Sequence, residues 1–140
     1  MLSAYHTHIS ERALVGLPPL PLNAEQVAGL VGLLKSTVAG AAEATELVDL
    51  LENRIPAGVD QAAYVKAAFL ADIAQGAAKS ALVSAARAVE LLGTMLGGYN
   101  VQALVALLDN EDSALAASAV KALSHTILMF DAYHDVVTKM

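Results

Sequence analysis

Apolar residues recur at three- and four-residue spacing along most of the chain, broken by proline, glycine and short polar clusters. That period predicts amphipathic helices, and no stretch alternates as a half-buried strand would. A first helix is expected over residues 3–15, stopping before Gly16. The segment LPPLPL, residues 17–22, cannot be helical, because its prolines lack donors and restrict their neighbours. Asn23 followed by Gln26 reads as a capping box. It opens a second helix to residue 35, with a looser Ala/Gly stretch to 42. A third helix spans 43–54, before Pro56 and Gly58. Asp60 caps a fourth to 75, stopped by Gly76. Ser84 caps a fifth to 96, Asn100 a short sixth to 108, and Asp112 or Ser113 a seventh to 130. The apolar stripe of the seventh is Ala116, Val120, Leu123, Ile127 and Phe130, and the tail DAYHDVVTKM extends it after a bend.

The helices repeat one another. LVGLLKS begins at residue 30, LVDLLEN at 47 and LVALLDN at 104. The second and third are each followed by a loop, an acidic cap and a helix carrying VKA, at 65–67 and 120–122. A leucine-bearing helix followed by an alanine-spaced helix is the unit of HEAT-like α-solenoids, in which each unit buries its apolar face against the next. The chain therefore reads as one all-α domain over 1–140, an irregular stack of antiparallel helix pairs with about seven helices. Residues 1–22 form an N-terminal helix and Pro-rich connector, and 23–140 the stacked pairs.

Composition narrows the function. The chain is 56% hydrophobic but only 4% aromatic, and roughly a fifth is alanine, so the core is built from small and aliphatic side chains at close helix contacts. A net charge of −6, with eight scattered Lys and Arg, argues against nucleic acid and against an anionic membrane surface. No cysteine is present, which removes thiolate nucleophiles, disulfides and cysteine-ligated clusters from this chain. MLSAYHTHISER lacks the pattern of a secretory signal, and no apolar run is long enough to span a bilayer. A soluble cytoplasmic protein is expected.

Candidate chemistry reduces to structural roles. The glycine-rich stretch GTMLGGYN follows a helix and is not followed by lysine, unlike a phosphate loop. It is expected to be a corner: Gly97 and Gly98 as a left-handed helix cap, Asn100 as the next N-cap, Tyr99 and Leu104 as a hydrophobic staple. Gly93 would let a neighbouring helix approach closely. His6 and His8 do not share a helix face; His8 and Arg12 do, as a surface contact. Ser124 and His125 diverge on their helix and make no nucleophile–base pair; His125 lies on the polar side with Ser118 and Lys121, and His134 sits in the tail. Asp109–Asp112 resembles a calcium loop but lacks its glycine and its bidentate glutamate, so it reads as helix caps. Glu43, Glu46, Asp49 and Glu52 give the third helix an acidic, solvated face. No catalytic, cofactor-binding or metal-binding residue is assigned. Apolar surface is expected to remain at one flank, with Leu17, Leu20 and Leu22 among its candidates.

Four stretches carry a family resemblance: Tyr5 with Glu11-Arg12-Ala13, NRIPAGVDQAAYVKAAFL (53–70), AVELLGTMLGGYN (88–100) and KALSHTILMFDAYHDV (121–136). In these the chain resembles the N-terminal HEAT-like domain of bacterial aconitate hydratase B. The family tends to carry prolines near Ala81 and Ala85, and this chain lacks them there. The resemblance implies a full-length enzyme of the tricarboxylic acid cycle, a lyase interconverting citrate and isocitrate through cis-aconitate on a [4Fe-4S] cluster. The cluster cysteines and substrate-binding residues of the family lie in other domains, so none carries over to this chain. The resemblance further implies protein contacts, with the parent's catalytic domains or with a second copy, iron-responsive dimerisation, and a part in shaping access to the active site. The ending Lys139-Met140, just after a family block, reads as a boundary within a longer protein. The alternative is a stand-alone HEAT-like adaptor with no metabolic role.

Overall fold

A computed structural model describes residues 2–56, 60–95 and 100–124. Among them are seven α-helices and no strand: α1 (Leu2–Leu14), α2 (Ala24–Ser36), α3 (Ala44–Asn53), α4 (Gln61–Gln75), α5 (Ala85–Gly93), α6 (Val101–Leu107) and α7 (Ser113–Ser124). The expected all-α class is the one found. Most of the starts follow from side-chain caps. The Asn23 and Gln26 side chains exchange hydrogen bonds with each other's backbone N–H groups. Asp60 accepts from the Ala62 N–H, Ser84 from the Arg87 N–H, and Asp112 from the Ala114 N–H. The acidic turn before α7 is thus a cap, as its composition suggests.

Helices α2, α4, α5 and α7 form a row, each packed on the next. Helix α3 lies against α2, and α6 against α7 with lighter contact to α4 and α5. The two LVxLL–VKA repeats are therefore not packed alike. The leucines of α3 (Leu47, Leu50, Leu51) share a core with Leu30 and Leu34 of the preceding LVGLL helix, whereas α6 pairs directly with the VKA helix that follows it. The repeats differ at their valine and lysine as well. Lys66 is buried and Lys121 exposed; Val65 packs against the core and Val120 is exposed.

Small residues set the spacing across the row. Ala62, Ala63, Ala67 and Ala74 on α4, Ala88 on α5, and Ala119 and Ala122 on α7 are all buried. Helices α5 and α7 approach each other closely at Gly93. A Cβ built on Gly93 would lie 2.8 Å from the Ala122 Cβ and 3.2 Å from its Cα, well inside ordinary carbon–carbon contact. The expectation that Gly93 admits a neighbouring helix is met. This contact also corrects the apolar stripe expected on α7. Its buried residues are Ala119, Ala122 and Leu123, because the helix presents alanine to a glycine, and Val120 is turned outward. Ile127 and Phe130 lie outside the described residues.

The corner after α5 differs from its expectation. Helix α5 ends at Gly93, not near residue 96. The Thr94 hydroxyl donates to the Leu91 carbonyl at 2.7 Å, and the Asn100 amide donates to the Leu92 carbonyl at 2.6 Å. Asn100 stands at the N-cap position of α6 but has right-handed helical backbone and makes no cap bond there. Its side chain, wholly buried, closes the C-terminus of α5 instead. Gly97, Gly98 and Tyr99 lie outside the described residues.

Candidate functional site

The polar groups that could support chemistry are mostly spent on holding helices together. His6 meets Glu46 across α1 and α3 through exposed side chains, a geometry worth little in water. Arg87 joins α5 to α3 through Glu52 at 2.9 Å and bonds Glu90 at 2.7 Å. Hydrogen bonds to Glu90 and then Glu52 raise its pKa. The acidic face expected on α3 is therefore only partly solvated: Glu43 and Asp49 are exposed, while Glu46 and Glu52 serve neighbouring helices. Lys66 on α4 is buried, and burial pushes its pKa down, with Glu52 opposing the shift.

A cleft of about 420 Å³ opens between α5 and α7, lined by Glu90, Gly93, Thr94, Ser118, Lys121 and Ala122. Its carboxylate is held by Arg87 and its Thr94 hydroxyl by Leu91. Among the described residues, no three His, Asp or Glu side chains converge as a metal site requires. With no cysteine in the chain, the donor set does not fit an iron–sulfur cluster. No helix among the described residues is long and apolar enough to cross a membrane. His125 and His134 lie outside the described residues.

The most constructed feature is the junction of α1 with the proline segment. Helix α1 ends in a Schellman motif: the Gly16 N–H bonds the Ala13 carbonyl, the Leu17 N–H bonds the Arg12 carbonyl, and Gly16 takes a φ of 72°. Three side chains then hold the segment. Arg12 donates to the Pro18 carbonyl at 2.9 Å, and Arg54, following α3, donates to the Pro19 carbonyl at 3.0 Å. Arg54 also donates to the Tyr5 hydroxyl at 3.1 Å, and Tyr5 is the one buried residue of α1. His8 Nε2 accepts from the Leu20 N–H at 3.0 Å, so that nitrogen is the unprotonated one. The His8–Arg12 face is thus no mere surface contact; four-residue spacing aligns both side chains with the segment that folds back along α1. Leu22 anchors the far end, buried at 1% exposure. Of the three leucines expected at an exposed flank, Leu17 and Leu20 are exposed but Leu22 is buried, because it closes the segment against the core; Arg54, 35 residues from Pro19, was not anticipated.

Large apolar side chains remain exposed above this clamp: Leu14 at 87%, Val15 at 69%, Leu17 at 48% and Leu20 at 52%. The other exposed large apolar residues described, Val38, Tyr64 and Val120, are scattered.

Comparison with known proteins agrees with the resemblance read from the sequence. The family model described as the aconitate B N-terminal domain matches residues 4–140. The chain is similar to aconitate hydratase B of Pseudomonas aeruginosa, 58% identical over 139 residues, and to that of Escherichia coli K12, 57% identical over 139 residues. These matches cover 99% of this chain and 16% of each relative. Aconitate hydratase B of Helicobacter pylori is 42% identical over 135 residues, covering 96% of this chain and 16% of the relative. The chain thus spans less than a fifth of the length of the relatives it matches.

Proposed function

We propose a non-catalytic, contact-making role for this chain, which belongs to the aconitate B N-terminal domain family. In this reading it is a HEAT-like domain of a cytoplasmic aconitate hydratase B, a citrate–isocitrate isomerase of the tricarboxylic acid cycle. The chemistry belongs to the rest of that enzyme. This chain supplies a surface that packs on the catalytic domains or on a second copy, and so shapes access to the active site.

The observation that carries the reading is the contrast between two kinds of surface. Polar side chains such as His6, Arg87 and Asn100 are paired across helices or close helix ends, while a run of apolar side chains stands exposed on a clamped segment. The row α2–α4–α5–α7 supports the HEAT-like description, since each helix buries its face on the next. The small share of each relative that the chain covers supports a domain of a longer enzyme over a free-standing adaptor. The test is an assay of the purified chain for cis-aconitate formation after iron–sulfur reconstitution. No turnover is expected, and turnover above background would overturn the non-catalytic reading.

A further inference from the structure

We propose that the end of α1 and the proline segment, presenting Leu14, Val15, Leu17 and Leu20, are the face by which this domain seats on the polypeptide that follows it in the full-length enzyme. The proposal rests on the contact-making role above and names the surface that performs it.

Exposed leucines taken singly are ordinary. Four large apolar residues within seven positions are not, and residues 13–22 (ALVGLPPLPL) contain no charged or hydrogen-bonding side chain. The backbone completes the case. Every N–H from Val15 to Asn23 is paired inside the chain or is missing because the residue is proline. Val15 and Leu17 bond the Arg12 carbonyl, Gly16 bonds Ala13, Leu20 bonds His8 Nε2, Leu22 bonds the Arg54 carbonyl, and Asn23 bonds Gln26 Oε1. Pro18, Pro19 and Pro21 have no N–H to offer. Surface loops ordinarily leave backbone donors to water, and covering such donors costs free energy. This segment has none left to cover. Burying it removes apolar area from water without stranding a backbone donor.

The segment is also held in shape before any partner arrives. Arg12 and Arg54 fix two successive proline carbonyls, and Leu22 and Tyr5 anchor it in the core. A preorganised surface loses little conformational entropy on docking. Its occupant follows from chain length. Most of each matched relative lies outside the segment that this chain covers. A covalently joined neighbour is present at an effective concentration of about millimolar, ahead of a second copy free in solution.

The test places a photoreactive benzophenone side chain at Leu17 or Leu20, with Val38 and Val120 as control positions. The host is full-length Pseudomonas aeruginosa aconitate hydratase B carrying this chain in place of its matching segment. All four positions are exposed, so the probe needs no room in the core. After irradiation, digestion and mass spectrometry, Leu17 and Leu20 are expected to join peptides beyond residue 140 of the same polypeptide, several-fold above the controls. Crosslinks from Leu17 and Leu20 into a second copy overturn the proposal in favour of self-association. Yields no higher than the controls overturn it as well. If Val38 or Val120 reaches beyond residue 140 while Leu17 and Leu20 do not, contact with the rest of the enzyme stands and the face is wrong. If no position reaches another domain or another copy, the contact-making role falls with it.

Discussion

Gly93→Ala sets two effects of known sign against each other. Inside a helix, alanine is favoured over glycine by about 0.5–1 kcal/mol, and less at the last helical residue, where Gly93 stands. Against this, the new Cβ would lie 2.8 Å from the Ala122 Cβ. Backbone lies behind that methyl, with the Ala122 Cα at 3.2 Å, so no flexible side chain can swing away. Restoring van der Waals distance requires α5 and α7 to part locally by roughly 1 Å, and overpacking of this kind costs about 1–3 kcal/mol. The clash wins, and the variant should be less stable by about 1–2 kcal/mol. Urea unfolding measures this as a lower midpoint at unchanged slope. Ala122→Gly supplies the control. Alone it destabilises through propensity and lost packing; combined with Gly93→Ala it removes the obstructing methyl, so the two costs should add to less than their sum. A stabilised Gly93→Ala, or strictly additive variants, would refute a close contact at this point.

Asn100→Ala removes the amide that closes α5 at Leu92 in a fully buried corner, and should cost about 1–3 kcal/mol by the same unfolding assay. Arg54→Ala frees the Pro19 carbonyl and the Tyr5 hydroxyl; amide exchange at Leu20 should quicken while α5 and α7 stay protected, at a cost of about 1–3 kcal/mol. Lys66→Met should stabilise the fold at neutral pH by on the order of 1 kcal/mol. Burial lowers the folded-state pKa of Lys66 below its ordinary 10.5, so its penalty is fully present below the folded pKa. It is relieved as pH rises from there through 10.5, and the advantage of the Met variant should shrink over that window.

What the sequence revealed was local. Asn23 with Gln26, Asp60, Ser84 and Asp112 cap helices a few residues away, and each cap was legible because it needs only near neighbours. Gly93 was legible because a helical glycine leaves room for a close neighbour, although Gly32 in α2 has the same room and nothing within 4 Å to fill it. Asn100 was misread because its preference for N-caps concealed a reach of eight residues back to Leu92. The α7 stripe was misplaced because its period was right while its partner was a glycine, which selects alanines rather than Val120. Leu17 and Leu20 of the proline segment stood out at once, whereas Leu22, expected beside them at the surface, is buried. The clamp on the segment did not stand out, since Arg54 reaches Tyr5 and Pro19 from 49 and 35 residues away, and nothing in an arginine's local sequence announces a distant carbonyl.

If this domain works by contact with the rest of an aconitate hydratase B, as proposed, the two should associate when supplied separately. The most direct measurement titrates the 140-residue chain into full-length Pseudomonas aeruginosa aconitate hydratase B from which the matching segment has been removed. Calorimetry and sedimentation report whether the two associate. Saturable binding is expected, one chain per truncated polypeptide, with catalysis measured only in the truncated partner or the complex. Absence of binding by a folded chain, with no heat and no co-sedimentation, would contradict the proposed role.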